Sequence, residues 1–330
     1  MVTDIKKILA DGILCIGDPH QSSRAPGRRL DKLFYVTVAL KIEQAMKIAQ
    51  EKNLIPLFLG DFFDREDDTD GAMLVRTIQA LKTDGHKPWT LVGNHDKRRT
   101  VLTNDTALSI LIESGMILRM PDNGPGFVLE SVGFEGKPWC VGVGSTGYDN
   151  EVPKDVTNIF DGVDDVIWAT HHDWMFENGY PNAMQPYEIN GCSMVINGHN
   201  HVTKPQIKRG QTTYANPGNI TRMSIDTNKH VPRVWVYKPG SPRLMPIALS
   251  FEKEVFDWTG RIAHAVQEDA SESVEKSEFV TMLTQEIESE KEGGNDFQSR
   301  LNKYFEKNRT SDRVKSRLND LFEKVSDEAK

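Results

Sequence analysis

Apolar positions in the first third of the chain alternate between short continuous runs and helical stripes. Ile13-Leu14-Cys15-Ile16 reads as a buried strand and ends in Gly17-Asp18. Leu30, Leu33, Phe34, Val38, Ile42, Ala45, Met46 and Ala49 then recur at helical spacing, which predicts a helix with one buried face. A second strand, Ile55 to Leu59, ends in Gly60-Asp61, and a helix is predicted from Ala72 to Leu81. A third strand, Trp89 to Val92, ends in Gly93-Asn94. This β-α-β-α-β order implies a mostly parallel sheet, in which ligands gather at the carboxyl ends of the strands.

The middle of the chain is strand-rich. Phe127 to Val132 and Trp139 to Val143 read as an antiparallel pair, and Val163 to Ala169 and Cys192 to Ile196 as buried strands followed by histidines. Short strands and turns fill Lys204 to Leu249, with Asn216-Pro217-Gly218 and Lys238-Pro239-Gly240 as turn signals. The expected fold is α/β, a four-layer α-β-β-α sandwich with two mixed sheets, over residues 1–250. Residues 251–330 turn charged and helical. Stripes such as Phe297, Leu301, Tyr304 and Phe305, and Val314, Leu318, Leu321, Phe322 and Val325, predict a C-terminal helical arm. Gly293-Gly294 interrupts it.

Composition narrows the class. Hydrophobic content of 38% and a mean hydropathy of −0.49 suit a globular chain, and no apolar run approaches the roughly 20 residues of a bilayer span. The charged segment Met1 to Ala10 has no secretory apolar core, so a cytoplasmic location without membrane association is expected. Cys15, Cys140 and Cys192 are scattered and outside any metal-knuckle spacing; Cys15 and Cys140 read as core packing. A net charge of −8 does not suit a free-standing nucleic-acid binder, although bound cations would change the local balance at a metal site.

The candidate chemistry lies in five clusters: Asp18-Pro19-His20, Gly60-Asp61-Phe62-Phe63-Asp64-Arg65, Gly93-Asn94-His95-Asp96, His171-His172 and Gly198-His199-Asn200-His201. Six of the nine histidines fall in them, each cluster just after a strand-like run, which random placement would not produce. Carboxylate, imidazole and amide donors without thiolate suit manganese first, with iron or zinc as alternatives. Two such cations about 3.5–4 Å apart clamp a phosphate and acidify an attacking water.

In order, D-x-H, G-D-x-x-D, G-N-H-D, H and G-H-x-H over residues 13–201 resemble the calcineurin-like metallophosphoesterases. That resemblance implies that Asp18, His20 and His201 hold one metal, that Asp61 bridges, and that Asn94, His171 and His199 complete the second site. It makes His95 the acid or transition-state stabiliser, oriented by Asp96, with Asp64 and Arg65 bracing the loop or touching phosphate. Glu66 and Asp96 depart from the protein serine/threonine phosphatase branch. Tyr214 to Arg222, together with the strand Arg233 to Tyr237, is similar to an element of SbcD-like DNA exonuclease subunits. That similarity implies DNA as substrate and a coiled-coil ATPase partner bound through the C-terminal arm. It also leaves open a homodimer through the Leu33/Phe34 helix. Gln21-Ser22, where that family shows Leu-Gly, departs from it. A stand-alone phosphatase or phosphodiesterase acting on nucleotides or other small esters is the alternative. A dead scaffold fits poorly, because all seven ligand positions are filled.

Overall fold

A computed structural model describes residues 5–133, 136–176 and 183–258. Its strands and helices run β1 (Lys7–Leu9), β2 (Gly12–Ile16), α1 (Phe34–Glu51), β3 (Leu54–Phe58), α2 (Gly71–Leu81), β4 (Trp89–Thr90), α3 (Ala107–Glu113), β5 (Leu118–Arg119), β6 (Asn123–Val132), β7 (Pro138–Thr146), β8 (Asp165–Thr170), β9 (Met194–Asn197), β10 (Lys204–Arg209), β11 (Thr212–Asn216), β12 (Arg233–Tyr237) and β13 (Met245–Ala248). Contacts divide the chain into Met1–Asp257 and Trp258–Lys330. The helical stripes expected in the arm lie outside the described residues.

Two mixed sheets form the body. One has the order β13-β12-β2-β3-β4-β5, and the other β1-β6-β7-β8-β9-β11-β10. β2, β3, β4 and β5 pair in parallel in the first, and β7, β8 and β9 in the second. β2 explains the layering. Leu14 and Ile16 pack with Phe34, Val38 and Ile42 of α1, whereas Ile13 and Cys15 join Phe127, Val141, Val143 and Ile167 between the sheets. A strand buried on both faces needs no polar alternation, hence its unbroken apolar run. The outer face of the other sheet contributes Trp168, Val195 and Tyr214, covered by irregular segments that bring Val152, Val156, Phe160, Trp174 and Ile189.

Helix ends follow local chemistry. Asp70 accepts from the Met73 N–H to cap α2, and Thr106 accepts from the Ser109 N–H to cap α3. The helical stripe read from Leu30 onward is one turn too long. Leu30 and Leu33 are exposed, because the chain before Phe34 is tied elsewhere: Leu30 N–H donates to Val255 O, Arg29 makes a β-bridge to Phe256, and its guanidinium forks onto Asp31. β4 is shorter than expected, since Leu91 and Val92 already lead into the turn at Gly93. Cys15 is fully buried and Cys140 half-buried. No described helix is long and apolar enough to cross a membrane.

Residues 251–257 pack back on the body. Arg222 is 2% exposed and donates to the carbonyls of Glu252, Lys253 and Asn228, with its guanidinium over the Phe251 ring. Beside it, burial together with Arg29 and Arg222 pushes the Lys41 amine down to about 7.

Candidate metal centre

The five clusters converge at one end of both sheets. Asp18 and His20 follow β2, Asp61 and Asp64 follow β3, and Asn94 and His95 follow β4; across the gap, His171 follows β8, and His199 and His201 follow β9. Parallel pairing is the cause, because it brings the carboxyl ends of neighbouring strands to the same edge.

Backbone conformation aims the side chains. Non-glycine residues rarely adopt positive φ. Among the described residues His20 (48°), Asp61 (42°) and His199 (68°) do so, with Asn53 the only other. Three of four such residues at one site is strain held for function. The loops also approach too closely for side chains at two glycines. A methyl at Gly93 would lie 2.1 Å from Asp61 Oδ1; one at Gly198 would lie 2.3 Å from Leu59 O and 2.8 Å from Asp18 Oδ1. Gly198→Ala should therefore cost about 1–3 kcal/mol of stability by overpacking and displace Asp18 and His171. A thermal melt beside metal analysis of the purified variant checks both effects.

All seven predicted ligand residues come together. Ligand atoms of Asp18, His20 and His201 lie within 4.8 Å of one another, as do those of Asp61, His171 and His199. Asn94 Oδ1 is 3.3 Å from His171 Nε2 and 3.1 Å from His199 Nδ1. Asp61 touches both groups: Oδ2 is 3.1 Å from His171 Nε2 and 3.9 Å from His20 Nε2. His20 Nε2 and His201 Nε2 face each other at 2.8 Å. Asp18, His20, Asp61 and His171 form a buried floor, whereas Asn94, His199 and His201 are half-buried and His95 is exposed.

Burial and close neighbours set the protonation pattern here. Burial would raise the Asp61 pKa, but His171 and His20 override it and hold the carboxyl ionised far below its usual range. Burial would lower His171, yet Asp61 and Asp18 bring it up to about 9. Burial lifts Asp18 to about 6. Burial together with neighbouring histidines lowers His199 to about 4 and His201 to about 3, so both present lone pairs at neutral pH. Both oxygens of buried Asp18 lack a hydrogen-bond partner, a costly arrangement unless a cation satisfies them. His171 Nδ1 lies 2.7 Å from Leu59 O and donates to it, the backing that metal-bound imidazoles use. These residues fit a pair of divalent ions.

Asp96 differs from expectation. Its carboxylate accepts from the backbone N–H groups of Phe62, Phe63 and Gly93, and so it ties the Asp61 loop to the Asn94 loop rather than orienting His95. The His95 ring is held instead by Asp64 O, 2.7 Å from Nδ1, and its backbone N–H donates to Asp61 Oδ1 at 2.8 Å. Asp64 also stands 3.3 Å from His20 Nδ1, and Arg65 pairs with Asp67. His172 is buried and not beside the other ligand atoms; its Nε2 donates to Asn150 O at 2.9 Å.

Three features were not read from the sequence. Asn197 donates to His172 O and Gly198 O and accepts from Thr170 Oγ1, linking the two histidine loops. Lys97, directly after Asp96, reaches Asp149 at 3.0 Å. Tyr148 follows β7 and sits beside His199, tilted against its ring. Asn197 and Lys97 adjoin motif residues, a weak signal; Tyr148 had none.

A family description of the calcineurin-like phosphoesterases matches residues 12–203, more than half of the chain. The chain belongs to the calcineurin-like phosphoesterase family. No curated protein matches it. Among solved structures it is similar to a 5'-nucleotidase precursor from Thermus thermophilus, with a TM-score of 0.40 and 11% identity over 77% of this chain and 57% of that one. It is also similar to a hypothetical protein from the same organism, with a TM-score of 0.36 and 14% identity over 72% of this chain and 98% of that one. The chain thus spans less than two-thirds of the nucleotidase precursor's length. As a calcineurin-like phosphoesterase it is a hydrolase of a family that uses divalent metals, and Asp18, Asp61 and the histidines beside them are its candidate ligands. Two bound cations would supply Lewis acidity, neutralising phosphate charge and acidifying an attacking water.

Proposed function

We propose that this protein is a two-metal-dependent phosphodiester hydrolase. Asp18, His20 and His201 would hold one divalent cation and Asn94, His171 and His199 the other, with Asp61 placed to serve both. The carrying observation is the place of the Asp61 carboxylate between the two ligand groups. Manganese is the first choice, with iron or zinc as alternatives, because the donors are oxygen and imidazole nitrogen. His95 is the acid. Asp64 O engages its Nδ1–H, which leaves Nε2 to hold the proton that the leaving oxygen takes, and its exposure lets a bulky ester reach it.

The substrate we propose is DNA, cut by a nuclease subunit that works with a coiled-coil ATPase as in SbcD-like complexes. Support comes from the Tyr214 to Arg222 element. Asn219 N–H donates to His201 O, Ile220 N–H to Gly17 O, and Thr221 Oγ1 to Pro19 O, so this element binds the two ligand loops of the first group together. Exposed Arg24, Arg65, Arg98 and Arg99 stand on the loops after β2, β3 and β4. A small nucleotide or phosphate ester is the second reading. It is favoured by the net charge of −8 and by the pairing of Arg65 with Asp67 and of Arg98 with Glu66, which spends much of that positive rim.

A substrate panel with manganese separates the two: linear duplex DNA, single-stranded DNA, an aryl phosphodiester and a phosphomonoester. The nuclease reading expects cutting of DNA and of the aryl diester, with little monoester turnover. Turnover of monoester or nucleotide with intact DNA selects the small-ester reading. For the partner, deleting residues 296–330 should leave aryl diester hydrolysis intact and abolish ATPase association. An insoluble or inactive truncation would tie the arm to the catalytic body instead.

A further inference from the structure

β7 is the sixth strand to end at the site, and it carries no ligand. Its register with its neighbours is explicit: Thr146 stands opposite Thr170 of β8, and Thr170 opposite Asn197 of β9. Counting forward from that row, Tyr148 of β7 is level with His172 and His199. The three strands therefore deliver an aromatic ring, a buried histidine and a candidate ligand to one line along the edge of the site.

The turn that carries Tyr148 is held from both sides. Lys97, whose side chain is 4% exposed, bridges to Asp149 at 3.0 Å from the loop after β4. His172 Nε2 donates to Asn150 O at 2.9 Å from the loop after β8. Gly147 N–H donates to Asp122 O at 2.7 Å. Each of the two loops that supply Asn94 and His171 thus sends a nearby residue to fix this turn. Tyr148 is half-buried, with its ring centroid 5.2 Å from His199 at an interplanar angle of 44° and 6.3 Å from His171 at 66°. A loop needed only to join β7 to β8 would not require a buried lysine tied to it on one side and a buried imidazole on the other.

We propose that Tyr148 is a specificity-determining residue whose ring packs against a planar aromatic group next to the scissile phosphate, a nucleobase or an aryl alcohol. This rests on the phosphoester reading of the same site and names the substrate feature that it selects. The ring lies beside His171 and His199, so a phosphate held by that ligand group has its adjoining substituent within reach of Tyr148. A tyrosine fixed in its turn offers a broad contact face and has only two side-chain torsions to lose on binding. Stacking of this kind accepts any base, because every base has a π-face.

Calorimetric binding to the manganese-loaded full-length protein tests this by affinity rather than by rate, using AMP, ribose 5-phosphate and inorganic phosphate as probes. Wild type should prefer AMP over ribose 5-phosphate by roughly 5- to 100-fold, the range of one base–aromatic stack. Tyr148→Phe should keep that preference and Tyr148→Ala should erase it, with inorganic phosphate bound alike by all three. No preference in wild type, its survival in Tyr148→Ala, or an equal loss for all three probes in Tyr148→Ala would overturn the proposal. If the preference appears but no ester is hydrolysed, the phosphoester reading fails and the aromatic subsite stands. If esters are hydrolysed without any preference, the subsite fails alone.

Discussion

Replacing Asp61 with asparagine should reduce phosphodiester turnover by more than about 10³-fold, since it removes the charge that both proposed cations would share, a larger loss than one oriented donor gives. The fold should survive. Asparagine tolerates positive φ, which Asp61 adopts at 42°, and its side-chain oxygen still accepts the His95 N–H. The lost negative charge is the larger of the two that raise His171 against burial, and it also faces His20, so both ligand groups should weaken together. Metal analysis of the purified variant, beside an unchanged circular dichroism spectrum, checks this. Two tightly bound ions with normal turnover would rule out the bridge.

His95→Gln should leave both ions in place and lower turnover by roughly 10²–10⁴-fold, the usual contribution of a positioned acid. The ring belongs to the exposed rim; its contacts are Asp64 O through Nδ1 and the edge of His20 at 5.0 Å. The loss should be steep for alkyl esters, whose leaving oxygen needs a proton, and small for a nitrophenolate, which leaves without one. A plot of rate against leaving-group pKa for both enzymes makes the comparison. Equal losses across the series would assign His95 to charge stabilisation instead.

The candidate ligands were legible because each follows a strand. An apolar run ending in glycine and a carboxylate or amide marks β2, β3 and β4, and their parallel pairing brings Asp18, Asp61 and Asn94 to one edge. The α/β class was legible for the same reason, since β-α-β connections force parallel neighbours. The start of α1 was not. Leu30 and Leu33 have the right spacing, but spacing does not register that Arg29 and Val255 tie the preceding chain down outside the helix.

The sequence by itself determined which residues could carry the chemistry, since donor type and position after a strand are local properties of the chain. Tertiary structure decided what those residues touch. Asp96 adjoins His95 in sequence, yet its oxygens go to three backbone N–H groups, because the loops at Phe62, Phe63 and Gly93 converge on it with those donors turned inward. β7 read as one arm of an antiparallel pair with β6. Its parallel pairing with β8, which places Tyr148 at the site, is made across an irregular crossover that carries no strand signal of its own. Local patterning specifies a strand and its faces, but a strand's second neighbour is set by how the whole sheet buries its apolar area, and no window of sequence contains that information.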